Sequence, residues 1–325
     1  MVQRFLALAI NTLVETIRQP IYAVLLLATA AMLTLNVSLA AFTLEDDDKL
    51  LLDLGLSTLM LSGLFLSAFS ATGVLTREIE NKTVLTVLSK PVSRPLFILG
   101  KFAGLLAAVM LAFYLSFLVF VLAQRHGVLQ NSADPWDAPV LTLGIGSLVL
   151  SGIIAAFYNY FHGKDFPTTF LAVFSPMLTV AVLVVAKFDE HWEVIPLGSN
   201  FVGGQVVFAA YLVWLMVLLT SAVALAASTR LGQLATLIIC TVFLAVGITS
   251  DYAFGQHAAE SNWAAAASHI LPNLGPFWVI DGLAAEKAET IIPFEYIVYA
   301  TGYAGLWTLA ILGVAVGSFQ RREVG

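Results

Sequence analysis

Eight long runs of apolar residues, separated by polar stretches, dominate the hydropathy pattern of the chain. The hydrocarbon core of a bilayer, roughly 30 Å thick, requires about 20 apolar residues in a helix. The pattern therefore predicts an all-α polytopic membrane protein with about eight transmembrane helices, or as few as six if the fourth and fifth runs do not both span. The runs cover residues 21–43, 54–76, 97–123, 140–161, 167–187, 206–228, 232–250 and 296–318.

The first 20 residues have a different, amphipathic pattern. Apolar side chains recur at helical spacing, while Arg4, Asn11, Glu15 and Arg18 lie mostly on the other side of the helix. Pro20 ends this pattern, because proline lacks the backbone N–H and clashes with the preceding turn. We predict a helix over residues 1–20 that lies in the membrane interface. Its apolar face comprises Phe5, Leu6, Ala9, Ile10, Leu13, Val14 and Ile17.

Composition supports a membrane location and excludes several classes of protein. Apolar residues make up 59% of the chain and charged residues 11%, against about half and about a quarter in soluble domains. The single cysteine, Cys240, cannot form an intrachain disulfide. The net charge of −6 argues against nucleic acid as a partner, because nucleic-acid binding favours a basic face.

The distribution of charge predicts the orientation of the chain. Lys and Arg favour cytoplasmic segments, and 11 of the 15 fall in one set of alternate segments if both termini lie on the same side. The other set carries 16 of the 21 acidic residues, including Asp46, Asp47 and Asp48. We therefore expect both termini in the cytoplasm, a single transmembrane domain over residues 21–318, and a cytoplasmic tail over 319–325.

The longest hydrophilic stretch, residues 251–295, is predicted to lie on the outer side. It contains two moderately apolar segments, Trp263–Ile270 and Phe277–Ala285, on either side of Pro272 and Gly275. Each segment is too short to cross a bilayer. We expect both to form short re-entrant-like helices that dip into the outer leaflet.

Sequence motifs for ATP hydrolysis and for common hydrolases are absent from the chain. No G-x-x-x-x-G-K-[ST], H-E-x-x-H or G-x-S-x-G motif occurs, and the five histidines are scattered over several loops. The eight runs also hold almost no ionisable residue away from their ends, whereas ion-driven carriers place such groups near the midplane. We expect no catalytic, cofactor-binding or metal site in this chain, and an external source of energy for any transport.

The polar segment between the second and third runs, residues 77–94, is the most patterned of the connections. Residues 77–88 are predicted to form a short helix with Leu85 and Leu88 available for burial. Pro91 and Pro95 flank Val92, Ser93 and Arg94, and each proline is predicted to interrupt helical structure at its position. On charge alone, a solvated loop whose basic residues only follow the orientation rule explains the segment equally well.

The order of residues in this segment resembles the ABC type-2 exporter permease family. Members carry an R-E-x-E-x-x-T-x-x-x-L-L-S-x-P-V-S-R-like segment and an L-G-K at the next span. The matching residues are Arg77, Glu78, Glu80, Thr83, Leu88, Ser89, Pro91, Val92, Ser93, Arg94, Gly100 and Lys101. Lys82 departs from the glycine that is frequent in the family, and eight spans exceed the usual six. Residues 226–235 and 270–275 are similar to a later cytoplasmic turn and to the outer segment before the last span, and the amphipathic start is similar to the family's elbow helix.

The resemblance implies a mechanical role for residues 77–94. Such a segment is a coupling helix, which docks on a separate ATPase subunit and transmits its movements to the spans. Two copies of the ATPase, which bind ATP and Mg, and a second permease subunit, identical or homologous, are the implied partners besides membrane lipid. The implied location is the bacterial inner (plasma) membrane. The implied ATPase contacts are Arg77, Glu78, Glu80, Thr83, Leu85, Leu88, Ser89, Pro91, Val92, Ser93 and Arg94.

Two other functions remain open at this point. A membrane-embedded enzyme acting on lipid or peptide would need polar catalytic groups at one depth, and the loops offer only dispersed ones. A permease-like subunit that performs mechanical or assembly work on an outer complex would use the same coupling segment as an exporter. Small residues in the second and last runs, among them Gly63, Ser67, Gly73, Gly313 and Gly317, permit close helix packing either within the chain or with a second permease.

Overall fold

The computed structural model describes residues 2–41, 47–80, 93–128, 136–199, 203–257, 261–263, 266, 271–279 and 291–320. This part of the chain is helical, without a β-strand, and Phe188 and Val194 form an isolated bridge. A π-helix at Asp251–Gly255 follows α8, and a short 3₁₀ helix lies at Gly275–Phe277. The α-helices are α1 Val2–Ile17, α2 Pro20–Ala40, α3 Asp47–Glu80, α4 Arg94–His126, α5 Ala138–His162, α6 Phe166–Val185, α7 Gly204–Ser228, α8 Gln233–Ser250 and α9 Phe294–Gln320.

The eight helices from α2 to α9 are long and apolar enough to cross a membrane, which confirms the predicted all-α polytopic class. Each overlaps one of the eight apolar runs. The central pair is present as two full helices, α5 with 25 residues and α6 with 20. The helix α3 also includes residues 47–53, which precede the apolar run that predicted it.

The chain divides into two compact units. The first comprises Met1–Gln19, Met60–Met110 and Phe208–Gly325, and the second comprises Pro20–Leu59 and Leu111–Val207. The helix α1 and nearly all of α7, α8 and α9 therefore belong to the first unit. The second unit contains α2, α5 and α6.

Small residues of α3 pack against α7 in the first unit. Ser67 Oγ and Ser221 Oγ are 2.7 Å apart and both side chains are buried. A Cβ on Gly63 would lie 2.3 Å from a methyl carbon of Val217, so only glycine permits this helix approach. These residues of the second apolar run therefore pack within the chain. In contrast, a Cβ on Gly313 would meet open space in this structure.

The segment 271–279 packs against α8 and α9 in the first unit. The buried Leu274 donates its N–H to Gly247 O at 2.8 Å, and a Cβ on Gly247 would lie 2.5 Å from the Leu274 side chain. The N–H of Asn273 is donated to Tyr303 Oη at 2.8 Å. This segment contains residues 271–275 of the stretch 270–275 that resembles the outer segment of the permease family. Most of the two short helices predicted at 263–270 and 277–285 lies outside the described residues.

Helices α5 and α6 form a hairpin in the second unit. Gly163 ends α5 with a positive φ of 63°, and its N–H is donated to Asn159 O; glycine adopts this left-handed conformation without steric cost. Asp165 then caps α6 by accepting the N–H of Thr168 at 3.1 Å. This short turn reverses the direction of the chain between His162 and Phe166. Two adjacent helices therefore form from one nearly continuous apolar stretch.

Candidate functional site

The predicted coupling segment begins and ends in helices. The backbone of Arg77, Glu78 and Glu80 continues α3 without a break, and Arg94 is the first residue of α4. Ser93 precedes α4, and its carbonyl accepts the N–H of Phe97 at 3.0 Å. The remaining predicted contacts lie outside the described residues, namely Thr83, Leu85, Leu88, Ser89, Pro91 and Val92.

Two arginines from different parts of the chain bind the end of α9. Arg94 Nη1 donates to Gln320 O at 2.6 Å, and Arg230 Nη2 donates to Ser318 O at 3.1 Å. Carbonyls in the last turn of a helix lack an intrahelical partner and favour cations. The Phe97 and Phe319 rings stack beside them with centroids 5.5 Å apart. Arg94 and Arg230, one residue from each of the family-like segments 77–94 and 226–235, therefore bind the same helix end.

A buried ion pair joins α4 to α1 in the first unit. Lys101 Nζ lies 3.3 Å from Glu15 Oε2, and the lysine side chain is only 2% exposed while the glutamate is 35% exposed. The same ammonium lies 5.8 Å from the centre of the Phe97 ring. Lys101 is the lysine of the family-like L-G-K, so the motif extends from the predicted coupling segment to the amino-terminal helix.

Glycines allow α1 to approach α4 and α3 closely. A Cβ on Gly104 would lie 2.3 Å from Ala9 O, and one on Gly100 would lie 2.9 Å from Leu8 Cβ. A Cβ on Gly73 of α3 would lie 2.4 Å from Gln19 Oε1. At Gly100 and Gly104 these contacts are with the Cβ and backbone atoms of α1, so a side chain would displace the helix, whereas at Gly73 the flexible end of the Gln19 side chain could move instead. We call Gly73, Gly100, Lys101 and Gly104, together with the residues of segment 1–19 that they contact, the α1 seat.

The faces of α1 differ in part from the predicted division. Leu6 and Ile10 of the apolar face are exposed, 50% and 59%, as lipid contact requires. The side of α1 that packs into the protein instead includes the fully buried Thr12 and Thr16 and the ion-paired Glu15. The sequence pattern placed Glu15 on the side of the helix opposite the apolar face and did not indicate its partner. A lysine inside an apolar run was the available signal, because a cation there needs a counter-charge.

A second buried ion pair lies in the second unit, where α5 begins. Arg125 Nη2 is 3.4 Å from Asp137 Oδ2, and their side chains are 9% and 4% exposed. Arg125 Nη2 also donates to Phe188 O at 3.1 Å. Asp137 caps α5, with Oδ1 accepting the N–H of Val140 at 3.1 Å. Both residues lie between the apolar runs 97–123 and 140–161. The hydropathy pattern assigns this stretch to an outer loop and does not indicate that the two charges pair.

Within the described ranges, no group of three or more His, Cys, Asp or Glu side chains is placed to hold a metal ion. The candidate site consists of the two ends of segment 77–94, the α1 seat and the arginine-bound end of α9. No family model, no curated protein and no solved structure matches the chain. The resemblance to type-2 ABC permeases rests on the residues named above.

The ion pair of the α1 seat should respond asymmetrically to loss of either partner. In Glu15→Leu, the Lys101 ammonium, whose side chain is 2% exposed, loses the carboxylate that lies 3.3 Å away, and hydrogen bonds to charged groups contribute about 1.5–3 kcal/mol. In Lys101→Met, the remaining carboxylate is already 35% exposed and can be hydrated, so the cost should be smaller. Thermal melting of the purified protein in detergent measures both changes.

The control for the ion pair is Glu190→Leu. Its carboxylate is 45% exposed beside His191, and exposed pairs contribute about 0–1 kcal/mol. The double variant Glu15→Leu with Lys101→Met should recover part of the loss, because the buried ammonium is then removed together with its carboxylate. A larger loss in Lys101→Met than in Glu15→Leu would contradict this account.

Proposed function

We propose that this integral membrane protein is the membrane-spanning permease subunit of an ABC exporter. It moves a substrate outward with ATP that a separate ATPase subunit hydrolyses while docked on residues 77–94. The observation that most supports the proposal is the contact set of the motif residues. Arg94 binds the end of α9 and Lys101 binds α1, so the residues that resemble the family link three helices.

The mechanical consequence follows from the positions of these contacts. A force applied to residues 81–92 acts on the end of α3 and the start of α4, because these helices flank the segment. The first turns of α4 are tied to α9 through Arg94 and to α1 through Lys101 and Gly104. Close-packed helices transmit displacement because their contacts deform little. Docking on the segment would therefore move α1, α4 and α9 of the first unit together.

The proposal includes an orientation and a set of partners. Both termini and residues 77–94 lie in the cytoplasm, since the alternate segments that contain them hold most of the Lys and Arg residues, and the resemblance implies a bacterial inner membrane. Two ATPase subunits bind ATP and Mg, and a second permease subunit, identical or homologous, completes the pathway. The open face at Gly313 and Gly317 on α9 provides one surface where such a subunit could pack.

The test is co-purification from the native membrane in mild detergent. We expect an ATP-binding subunit to accompany the wild-type chain and to be lost from the variant Arg77→Ala, Glu80→Ala, Leu88→Ala. The matched control changes Lys187, Glu190 and Leu197 to alanine, which removes the same types of side chain from the loop that follows α6, where Lys187 and Leu197 are exposed. The control should retain the ATPase.

The outcomes separate the proposal from its alternatives. Loss of the ATPase from the coupling variant alone supports the permease function. In the reconstituted complex, Glu80→Ala combined with Leu88→Ala should then allow ATP hydrolysis without transport of the substrate. A chain that purifies without an ATPase under every condition would refute the proposal and favour a membrane-embedded enzyme. An ATPase that binds both triple variants equally would show that residues 77–94 are not the docking site.

A further inference from the structure

A cavity of about 560 Å³ lies within the second unit, lined by residues of α2, α4, α5 and α6. This volume is within the range of about 300–1,000 Å³ that small-molecule sites occupy. The lining is mainly apolar and includes Val37, Leu122, Leu148, Phe174 and Leu178. It contains no Lys, Arg, Asp or Glu among the described residues. The chemistry of the walls therefore suits an apolar chain.

Most polar groups of the cavity lie at one end, while the Thr34 hydroxyl, deeper along α2, donates to Ala31 O within its own helix. His126 and Trp136, at the end of α4 and before the start of α5, form one end of the lining, and Ser38 lies in the last turn of α2. His126 Nδ1 donates to Gly127 O at 3.1 Å, since a carbonyl oxygen only accepts, and the neutral ring then has Nε2 as an acceptor. The His126 and Trp136 rings meet edge to face at 6.1 Å. This end can hydrogen-bond a polar head.

The depth of the cavity corresponds to one leaflet. Its α2 side runs from Ala41 at the helix end to Ala30, and 11 helical residues rise about 16 Å at 1.5 Å each. This is about half of a hydrocarbon core of roughly 30 Å. The opposite end is formed by Leu148 and Phe174, which lie near the middle of α5 and α6. A molecule with a polar head at the surface and a chain that reaches the bilayer centre matches this shape.

The charges beside the polar end are already paired. Arg125 and Asp137 neutralise each other at 3.4 Å, next in sequence to His126 and Trp136, respectively. We propose that the cavity binds a membrane amphiphile with one apolar chain and an uncharged, hydrogen-bonding head. This site is independent of the proposed docking of an ATPase on residues 77–94, which belong to the first unit.

The test uses a monoacylglycerol with a photoreactive diazirine at mid-chain, added to the full chain in lipid nanodiscs. We expect saturable labelling that maps to residues 119–123 or 141–148, and competition by unlabelled monoacylglycerol. In Gly144→Leu, the added side chain projects into the cavity next to Leu122, where a Cβ would sit 3.4 Å from its Cδ1. Labelling should fall about tenfold, the change that a loss of 1.4 kcal/mol produces.

The matched control is Gly152→Leu on the same helix, because a Cβ there meets open space and Gly152 does not line the cavity. It should label as the wild type does. Ser38→Trp, at an exposed lining residue of α2, fills the polar end of the cavity. It should therefore reduce labelling and serves as a second test if Gly144→Leu fails to fold.

Equal, unsaturable labelling of all variants would overturn the proposal. Absence of labelling because a second copy of the chain covers the cavity would also overturn it. Equal competition by an anionic single-chain lipid would overturn the assignment of an uncharged head.

Discussion

Replacing Asp137 with alanine is expected to lower the free energy of unfolding by about 3–5 kcal/mol, the range found when one member of a buried ion pair is removed. Arg125 would keep its charge at 9% exposure without the carboxylate that lies 3.4 Å away. The substitution also removes the side-chain cap from Val140 N in the first turn of α5, and a lost N-cap costs about 0.5–2 kcal/mol by itself. Thermal melting in detergent measures the combined effect.

Asp165→Ala is the matched control for this prediction. Asp165 caps α6 as Asp137 caps α5, and a proline lies in the first turn of both helices. Asp165 is only partly buried, so its replacement should cost less than that of Asp137, whose side chain is 4% exposed. Arg125→Met combined with Asp137→Ala should recover part of the loss, because the buried charge is then gone. Equal melting of the two single aspartate variants would show that the ion pair contributes little.

The spans were predictable because their length is set by the solvent. A bilayer requires about 20 consecutive apolar residues whatever the tertiary contacts are, so the runs at 97–123 and 206–228 mark α4 and α7 by composition alone. The ends were less predictable because they depend on local capping. Residues 47–53, which include three aspartates, extend α3 beyond its apolar run.

The ion pairs could not be derived from the sequence, because each depends on which helices pack together. Glu15 and Lys101 are 86 residues apart, and no local spacing rule connects them. Hydropathy also assigns a charge at a helix end to solvent, whereas Arg125 and Asp137 are nearly buried. Buried charges inside the membrane-spanning part of a protein need partners, so each buried charge indicates that a partner exists without indicating which residue it is.

The candidate site was predictable as a motif and not as a set of contacts. The order of residues 77–94 suggested docking on an ATPase, which stays a prediction. The same pattern contained no information that Arg94 would meet the last turn of α9, or that Arg230 would meet it too. Gly100 and Lys101 entered only as part of the resemblance, and the structure gives each of them a physical contact, with Leu8 and Glu15 of α1.

Gly104→Val is expected to have the largest effect on the α1 seat. The new Cβ would lie 2.3 Å from Ala9 O and 2.6 Å from Thr12 Cβ. A backbone carbonyl cannot change rotamer to avoid it, so α1 itself must shift. Overpacking of this kind costs about 1–3 kcal/mol, and occasionally more. Displacement of α1 also separates Glu15 from Lys101, whose side chain is 2% exposed in the intact structure.

Exposure of Lys101 provides a specific measurement of this displacement. Acylation of the protein with a membrane-permeant amine reagent, followed by mass spectrometry, should leave Lys101 unmodified in the wild type and modified in Gly104→Val. Gly302→Val on α9 is the control, because it adds the same β-branched side chain to a helix where a Cβ meets open space. Protection of Lys101 in both variants would mean that α1 tolerates the added side chain. Modification in Gly104→Val alone would establish that α1 shields Lys101 from the reagent. The same variant would then have an amino-terminal helix that is no longer packed against the start of α4.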